Sequence, residues 1–98
     1  MKITNENLFL QFRGFYYTAL FKSVSLAAEI LNVSQPAVSL QLKTLQTSIN
    51  KTLFYRKQGK MLLTPDGSSL FNDIKPIIDS MDDVYKKHSQ KNKPKTLN

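Results

Sequence analysis

Ser25-Leu-Ala-Ala-Glu-Ile-Leu-Asn-Val-Ser-Gln-Pro-Ala-Val-Ser-Leu-Gln-Leu-Lys-Thr-Leu45 is the stretch on which the fold turns. It reads as a short helix, a tight turn at Asn32-Val33, and a second helix. Asn32 stands where a left-handed residue can end the first helix, a conformation Asn tolerates better than most side chains. Ser34 then offers its hydroxyl as N-cap, and Pro36 in the first turn loses no hydrogen bond because those N–H groups have no helical partner. Val38, Leu42, Leu45 and Ile49, spaced 4, 3 and 4, form the buried stripe of this second helix. Gln35, Pro36, Ser39, Leu40, Lys43 and Thr47 fall on the other faces. Two helices joined so abruptly leave the first turn of the second one free to enter a DNA major groove. Its amide, hydroxyl and ammonium groups suit base edges and phosphates.

Upstream, Leu8, Phe12, Phe15, Tyr16 and Ala19 recur at helical spacing and predict an amphipathic helix from Asn7 to Phe21. Gly14 lowers its propensity. Lys22-Ser23-Val24 reads as a connector, with Ser25 as N-cap of a helix over Leu26–Leu31. Downstream, Asn50 ends the third helix. Leu53-Phe54-Tyr55-Arg56 and Met61-Leu62-Leu63-Thr64 then flank a four-residue turn, Lys57-Gln58-Gly59-Lys60. Two short apolar runs about a glycine-containing turn predict a hairpin, a wing with Lys57 and Lys60 at its tip.

Thr64-Pro65 restarts a helix by cap and first-turn proline, with Asp66 near its positive end. Along it Leu70, Ile74, Ile77, Met81, Val84 and His88 repeat as a heptad seam, thickened by Phe71, Ile78 and Tyr85. The three preceding helices are expected to close a core of their own. Leu70, Ile74, Ile77, Ile78, Met81, Val84 and Tyr85 are therefore assigned to a dimer interface. Asp82 before Lys86 and Asp83 before Lys87 are expected to pair along the helix. Pro76 should kink its axis near Asn72.

The totals bound what else is possible. At 98 residues there is room for one domain, whose small core is marginal or needs a partner subunit. Organisation follows as a winged helix-turn-helix over 1–64, a linker helix over 65–88 and a disordered basic tail over 89–98. There is no Cys, a single His at the end of the seam, and no phosphate-binding loop. Neither an enzyme, a metal site nor a cofactor can be assembled from this set. No run of about 18 apolar residues is present to span a membrane. Leu8 to Phe21 fails as a secretory signal, because Gln11 and Arg13 interrupt it and no small-residue cleavage site follows. The expected setting is soluble and cytoplasmic.

Charge is segregated. Lys86, Lys87, Lys91, Lys93 and Lys95 account for most of the net +7; without residues 86–98 the balance is nine basic against seven acidic. Between Glu29 and Asp66 there is no acidic residue, while Lys43, Lys51, Arg56, Lys57 and Lys60 all fall there. From Asp66 to Asp83 the sign reverses, with five Asp against Lys75. One surface for a polyanion and one acidic helix follow.

Four ordered blocks resemble the DNA-binding domain of LysR-type transcriptional regulators. They are Ser25-x-Ala27-Ala28-Glu29-x-Leu31, then Val33-Ser34-Gln35-Pro36-Ala37-Val38-Ser39-x-Gln41-Leu42-Lys43-x-Leu45, then Leu53-Phe54-x-Arg56, and Leu63-Thr64-Pro65-x-Gly67. The likeness runs from Leu8 to His88. It implies a mainly α fold: three helices with a two-stranded wing, followed by a long dimerising linker helix. Carried onto this chain, it implies that Gln35, Pro36 and Ser39, with Leu40 beside them, read bases. Ser34, Lys43, Thr47 and Arg56 would then hold the DNA backbone. The wing residues Lys57, Gln58, Gly59 and Lys60 would follow the backbone or enter the minor groove. The partners implied are double-stranded DNA carrying an imperfect palindrome and a second copy of the chain, with no membrane and no small-molecule ligand.

Departures from the family pattern bear on sequence preference. Leu40 stands where Arg or Gln is frequent, Gln46 and Gly59 replace frequent charges, Leu62 is apolar where a polar residue is usual, and Asp66 replaces a customary Ala. Full-length members carry an effector-binding domain to which nothing here corresponds, so the 98 residues are either a piece of a longer regulator or a short form without ligand control. The alternative function is an adaptor that pairs with a full-length regulator and modulates it. Such an adaptor has no need of Ser34, Gln35, Ser39 and Lys43, whose presence favours direct DNA binding.

Overall fold

The computed structural model describes residues 7–89 and follows the order α1 (Leu8–Phe21), α2 (Val24–Leu31), α3 (Gln35–Ile49), β1 (Phe54–Lys57), β2 (Lys60–Leu63) and α4 (Pro65–Ser89). It is a mainly helical winged helix-turn-helix with a long C-terminal helix. Residues 90–98, most of the expected basic tail, lie outside the described residues, while Ser89 ends α4.

Each of the first three helices stops at a residue in the left-handed region: Lys22 (φ 57°), Asn32 (φ 58°) and Asn50 (φ 57°). In that conformation the chain folds back and satisfies the last carbonyls, as when Val33 N–H donates to Ala28 O at 3.0 Å and Lys51 N–H to Gln46 O at 3.1 Å. Ser34 caps α3 as expected, its Oγ accepting from Ala37 N–H at 3.1 Å. The cap of α2 is Ser23, not Ser25. Ser23 is extended (φ −155°, ψ 125°) and its Oγ accepts from Leu26 N–H at 3.1 Å, so α2 begins at Val24 and buries that residue. Two serines two positions apart offered the same local signal, and the burial of Val24 decides between them.

The buried face of α1 comprises Gln11, Gly14, Phe15, Tyr16 and Thr18, with Leu8, Phe12 and Ala19 only partly covered. The stripe is thus rotated from the purely apolar one, because Gly14 lets α3 approach closely: a Cβ on Gly14 would lie 2.6 Å from Gln41 Oε1. Phe15, Val38, Leu45 and Leu53 are at the centre of the core, and the Phe15 and Phe54 rings meet at 5.3 Å.

The hairpin turn has two residues rather than four. Lys57 pairs with Lys60, and Gln58 (φ 53°) and Gly59 (φ 77°) are both left-handed, the pattern of a type I′ turn whose twist matches the strands. Thr64 then ties the wing to the last helix. Its Oγ1 donates to Thr52 O at 2.6 Å and accepts from Gly67 N–H at 3.0 Å, while its own N–H donates to Leu53 O at 3.0 Å. Gly67 packs directly on Leu53 O, where a Cβ has no room.

The assignment of Ile74 and Ile78 to a dimer interface is corrected. Each is 2% exposed and belongs to the same core as Phe15 and Leu45. Leu70 and Phe71 pack partly against that core, and Phe71 stacks on Tyr16 at 5.2 Å between ring centroids. The first three helices do not close a core alone; α4 completes it. Burial of Tyr16, reinforced by the nearby Asp79 carboxylate, raises its phenol above the usual 10.0. The expected pairs of Asp82 with Lys86 and Asp83 with Lys87 do not form: among the described residues the ion pair is Lys75–Asp79 at 2.9 Å, and Asp82 accepts from Tyr17 Oη at 3.4 Å. The hydrogen bond to Asp79 raises the Lys75 ammonium above its usual 10.5. Pro76 lies on the exposed side of a helix that runs on through it.

Candidate nucleic-acid interface

The first turn of α3 is set by its cap. Because Ser34 Oγ accepts from Ala37 N–H, the hydroxyl proton remains free to donate outward. Val38, Leu42 and Leu45 anchor one side of α3 in the core. Gln35, Pro36, Ser39, Leu40, Lys43 and Thr47 are all exposed, as the 3.6-residue period requires of positions off the buried stripe. Leu40 is 63% exposed. Gln35, Pro36, Ser39 and Leu40 share the first two turns. Thr47 sits twelve residues beyond Gln35, about 18 Å along the axis. It lines a shallow depression with Gln46, Asn50 and Lys51 instead, so it cannot meet the same base step as Gln35.

Arg56, Lys57, Gln58, Gly59 and Lys60 form the exposed tip of the wing. Lys57 and Lys60 face each other across the hairpin, and Arg56 faces Met61. Like charges directly opposite in a ladder repel unless an anion lies between or beside them. None of Lys43, Arg56, Lys57 and Lys60 is in an ion pair within the described residues. The acid-free stretch is thus an uncompensated cationic surface, and among the described residues the acids other than Glu29 of α2 sit on α4.

Two contributors were not legible beforehand. Gln46, noted only as a departure in charge, accepts at Oε1 from Leu53 N–H at 2.6 Å and Phe54 N–H at 3.4 Å. It holds the far end of α3 to the start of β1, and so fixes the wing against α3. Ser25 Oγ donates to Gln35 Oε1 at 3.0 Å. These three bonds join residues seven to ten positions apart, which periodicity does not report.

On α4 the rest of the seam is open. Ile77, Met81, Val84 and Tyr85 are 57, 44, 58 and 63% exposed. Beside them Phe9, Arg13, Ile78, Met81, Asp82 and Tyr85 line a cleft between α1 and α4, where the Arg13 guanidinium lies 5.8 Å from the Phe9 and Tyr17 ring centres. Among the described residues no helix is long and apolar enough to cross a membrane.

Comparison with known proteins places this geometry. The family of bacterial regulatory helix-turn-helix proteins of the lysR type matches residues 9–68. The glycine cleavage system transcriptional activator of Escherichia coli is 40% identical over 75 residues, covering 76% of this chain and 25% of that protein. The chain thus spans about a quarter of that relative's length. The oxidised form of Corynebacterium glutamicum OxyR superposes with a TM-score of 0.75 at 30% identity, covering 88% of this chain and 28% of that one. The complex of the CbnR DNA-binding domain with DNA superposes with a TM-score of 0.69 at 25% identity, covering 81% of this chain and 91% of that one. Matched over more than half its length and sharing the fold of these structures, the chain belongs to the lysR family of bacterial regulatory helix-turn-helix proteins.

Proposed function

We propose that the chain binds specific double-stranded DNA in the cytoplasm as a homodimer and regulates transcription by that binding rather than by catalysis. The observation that carries the reading is the exposed first turn of α3, where Gln35, Pro36, Ser39 and Leu40 stand clear of the core behind a Ser34 cap with a proton to donate. The likeness to a domain solved in complex with DNA supports DNA binding by this fold.

Gln35 and Ser39 supply hydrogen bonds to base edges, and Leu40 supplies an apolar surface for a thymine methyl. Ser34, Lys43, Thr47 and Arg56 hold phosphates, with Lys57, Gln58, Gly59 and Lys60 extending the backbone contact at the wing. Two copies joined through α4 would face two half-sites of an imperfect palindrome. The winged helix-turn-helix up to Thr64 serves as the reading head, and α4, which completes its core, makes the connection to the second copy.

Binding to oligonucleotides selected from a random pool tests this. Gln35→Ala should relax preference at one base position per half-site, at about 1–3 kcal/mol for a good base contact. Lys43→Ala should weaken all sequences alike and reduce the salt slope by about one unit. If both variants bind the selected DNA as the parent does, the face is misassigned.

A further inference from the structure

We infer that Ser25 is a positioning residue for base reading: it fixes the amide of Gln35 so that the amide meets DNA as a hydrogen-bond donor. The inference rests on the DNA-reading role proposed for Gln35 and adds what sets its chemistry.

Ser25 lies in the first turn of α2 and Gln35 opens α3, ten positions later. With Ser23 as the cap, Ser25 is released from helix capping and its hydroxyl turns to Gln35, donating to Oε1 at 3.0 Å. Asn32 and Val33, between the helices, line one shallow hollow with both residues. The left-handed Asn32 sets that short turn and hence the distance between the two side chains.

A glutamine amide is otherwise ambivalent. Rotated by half a turn it presents an acceptor where it presented a donor, and an exposed glutamine samples both. In this structure the hydroxyl donates to Oε1, so both Nε2 protons are left for the groove, whereas the half-turned amide would give one of them to the same hydroxyl. The matching base atoms in the major groove are acceptors: guanine N7 and O6, adenine N7 and thymine O4. Cytosine offers only its N4 donor there and is the base excluded. Docking removes water from the pair, so the bond counts for more in the complex than in the free protein.

The test is a binding profile on duplexes carrying each of the four bases at the position read by Gln35, for the parent chain, Ser25→Ala, Ser25→Thr, Gln35→Ala and the Ser25→Ala/Gln35→Ala double variant. The parent should disfavour cytosine. Ser25→Ala should shrink that preference about three- to tenfold, the range one hydrogen bond carries, with affinity for unrelated DNA unchanged. Ser25→Thr, which keeps the hydroxyl, should retain the preference, and the double variant should match Gln35→Ala alone. A uniform loss over all four bases in Ser25→Ala would instead mean that Ser25 holds a phosphate, and the inference falls. It falls equally if Ser25→Ala leaves the profile intact while Gln35→Ala flattens it. If Gln35→Ala changes nothing, the reading of the face fails first.

Discussion

Gly67 and Gly14 both face another element at close range, yet the neighbour differs and so does the expected result of adding a methyl. At Gly67 the Cβ would run into the Leu53 carbonyl and approach Leu63 Cδ2 at 2.9 Å, and neither can yield without moving the wing. At Gly14 the close atom is Gln41 Oε1, the end of a flexible side chain, and that buried oxygen has no hydrogen-bond partner to lose. Gly67→Ala should therefore destabilise by about 3 kcal/mol through overpacking. Gly14→Ala should be neutral or stabilising by up to about 1 kcal/mol, the helix propensity regained. Urea unfolding of both variants checks this, and a loss at position 14 equal to that at 67 would show that Gln41 cannot shift. The motif Leu63-Thr64-Pro65-x-Gly67 thus has a physical content its letters do not display. Thr64 ties three backbone groups together, and Gly67 lets α4 pass over the strand that Thr64 tethers.

At the scale of elements, helix ends depend on one or two residues at a time. Among the three residues that end α1, α2 and α3, Lys22 is the poorly matched one. The left-handed conformation costs an ordinary L-residue about 1–2 kcal/mol, and Asn less than most. Lys22 keeps its place because its carbonyl accepts from Met61 N–H at 3.1 Å, tying the turn to the wing, a bond glycine can make equally well. Lys22→Gly should stabilise by about 1 kcal/mol, equivalent to about 4–8 °C in Tm for a domain of this size. A scanning-calorimetry Tm unchanged or lowered would mean that the lysine side chain makes a contact worth as much as the strain. The same locality explains what was legible in the sequence. Ser34, Pro36, Asn32 and Asn50 announce their roles to their immediate neighbours, so both ends of α3 and the turn before it could be placed from spacing alone. Gln46 and Ser25 act on residues seven and ten positions away, through contacts that only the folded arrangement creates. Ser25 could not be told from Ser23 as a cap until Val24 was seen to be buried.

For the whole molecule, the same heptad is part buried and part exposed, and the sequence could not separate the two parts. A stripe repeating every three and four residues marks a buried helix face whether the cover is the same chain or a second one. Ile74 and Ile78 are used within the protomer, leaving Ile77, Met81, Val84 and His88 at spacings 4, 3 and 4, with Tyr85 alongside. That is about two heptads, short for a coiled coil standing alone, so the association should depend on concentration and draw on the cleft beside it at Phe9 and Arg13. An isologous pairing would bring each exposed seam against its copy. Placing Asp at both Val84 and Tyr85 puts like charges at that seam without touching the core, since these side chains are 58 and 63% exposed. The double variant should keep the parent's circular dichroism and run as a monomer by light scattering at concentrations where the parent is a dimer. It should also lose affinity for paired half-sites far more than for a single one, because two linked reading heads bind about 10²–10⁴ times better than one. Ile78→Asp should unfold instead, as it buries an unpaired carboxylate in the core. A double variant that stays dimeric would move the interface off α4, and a parent that is monomeric at tens of micromolar would remove the dimer from the reading altogether.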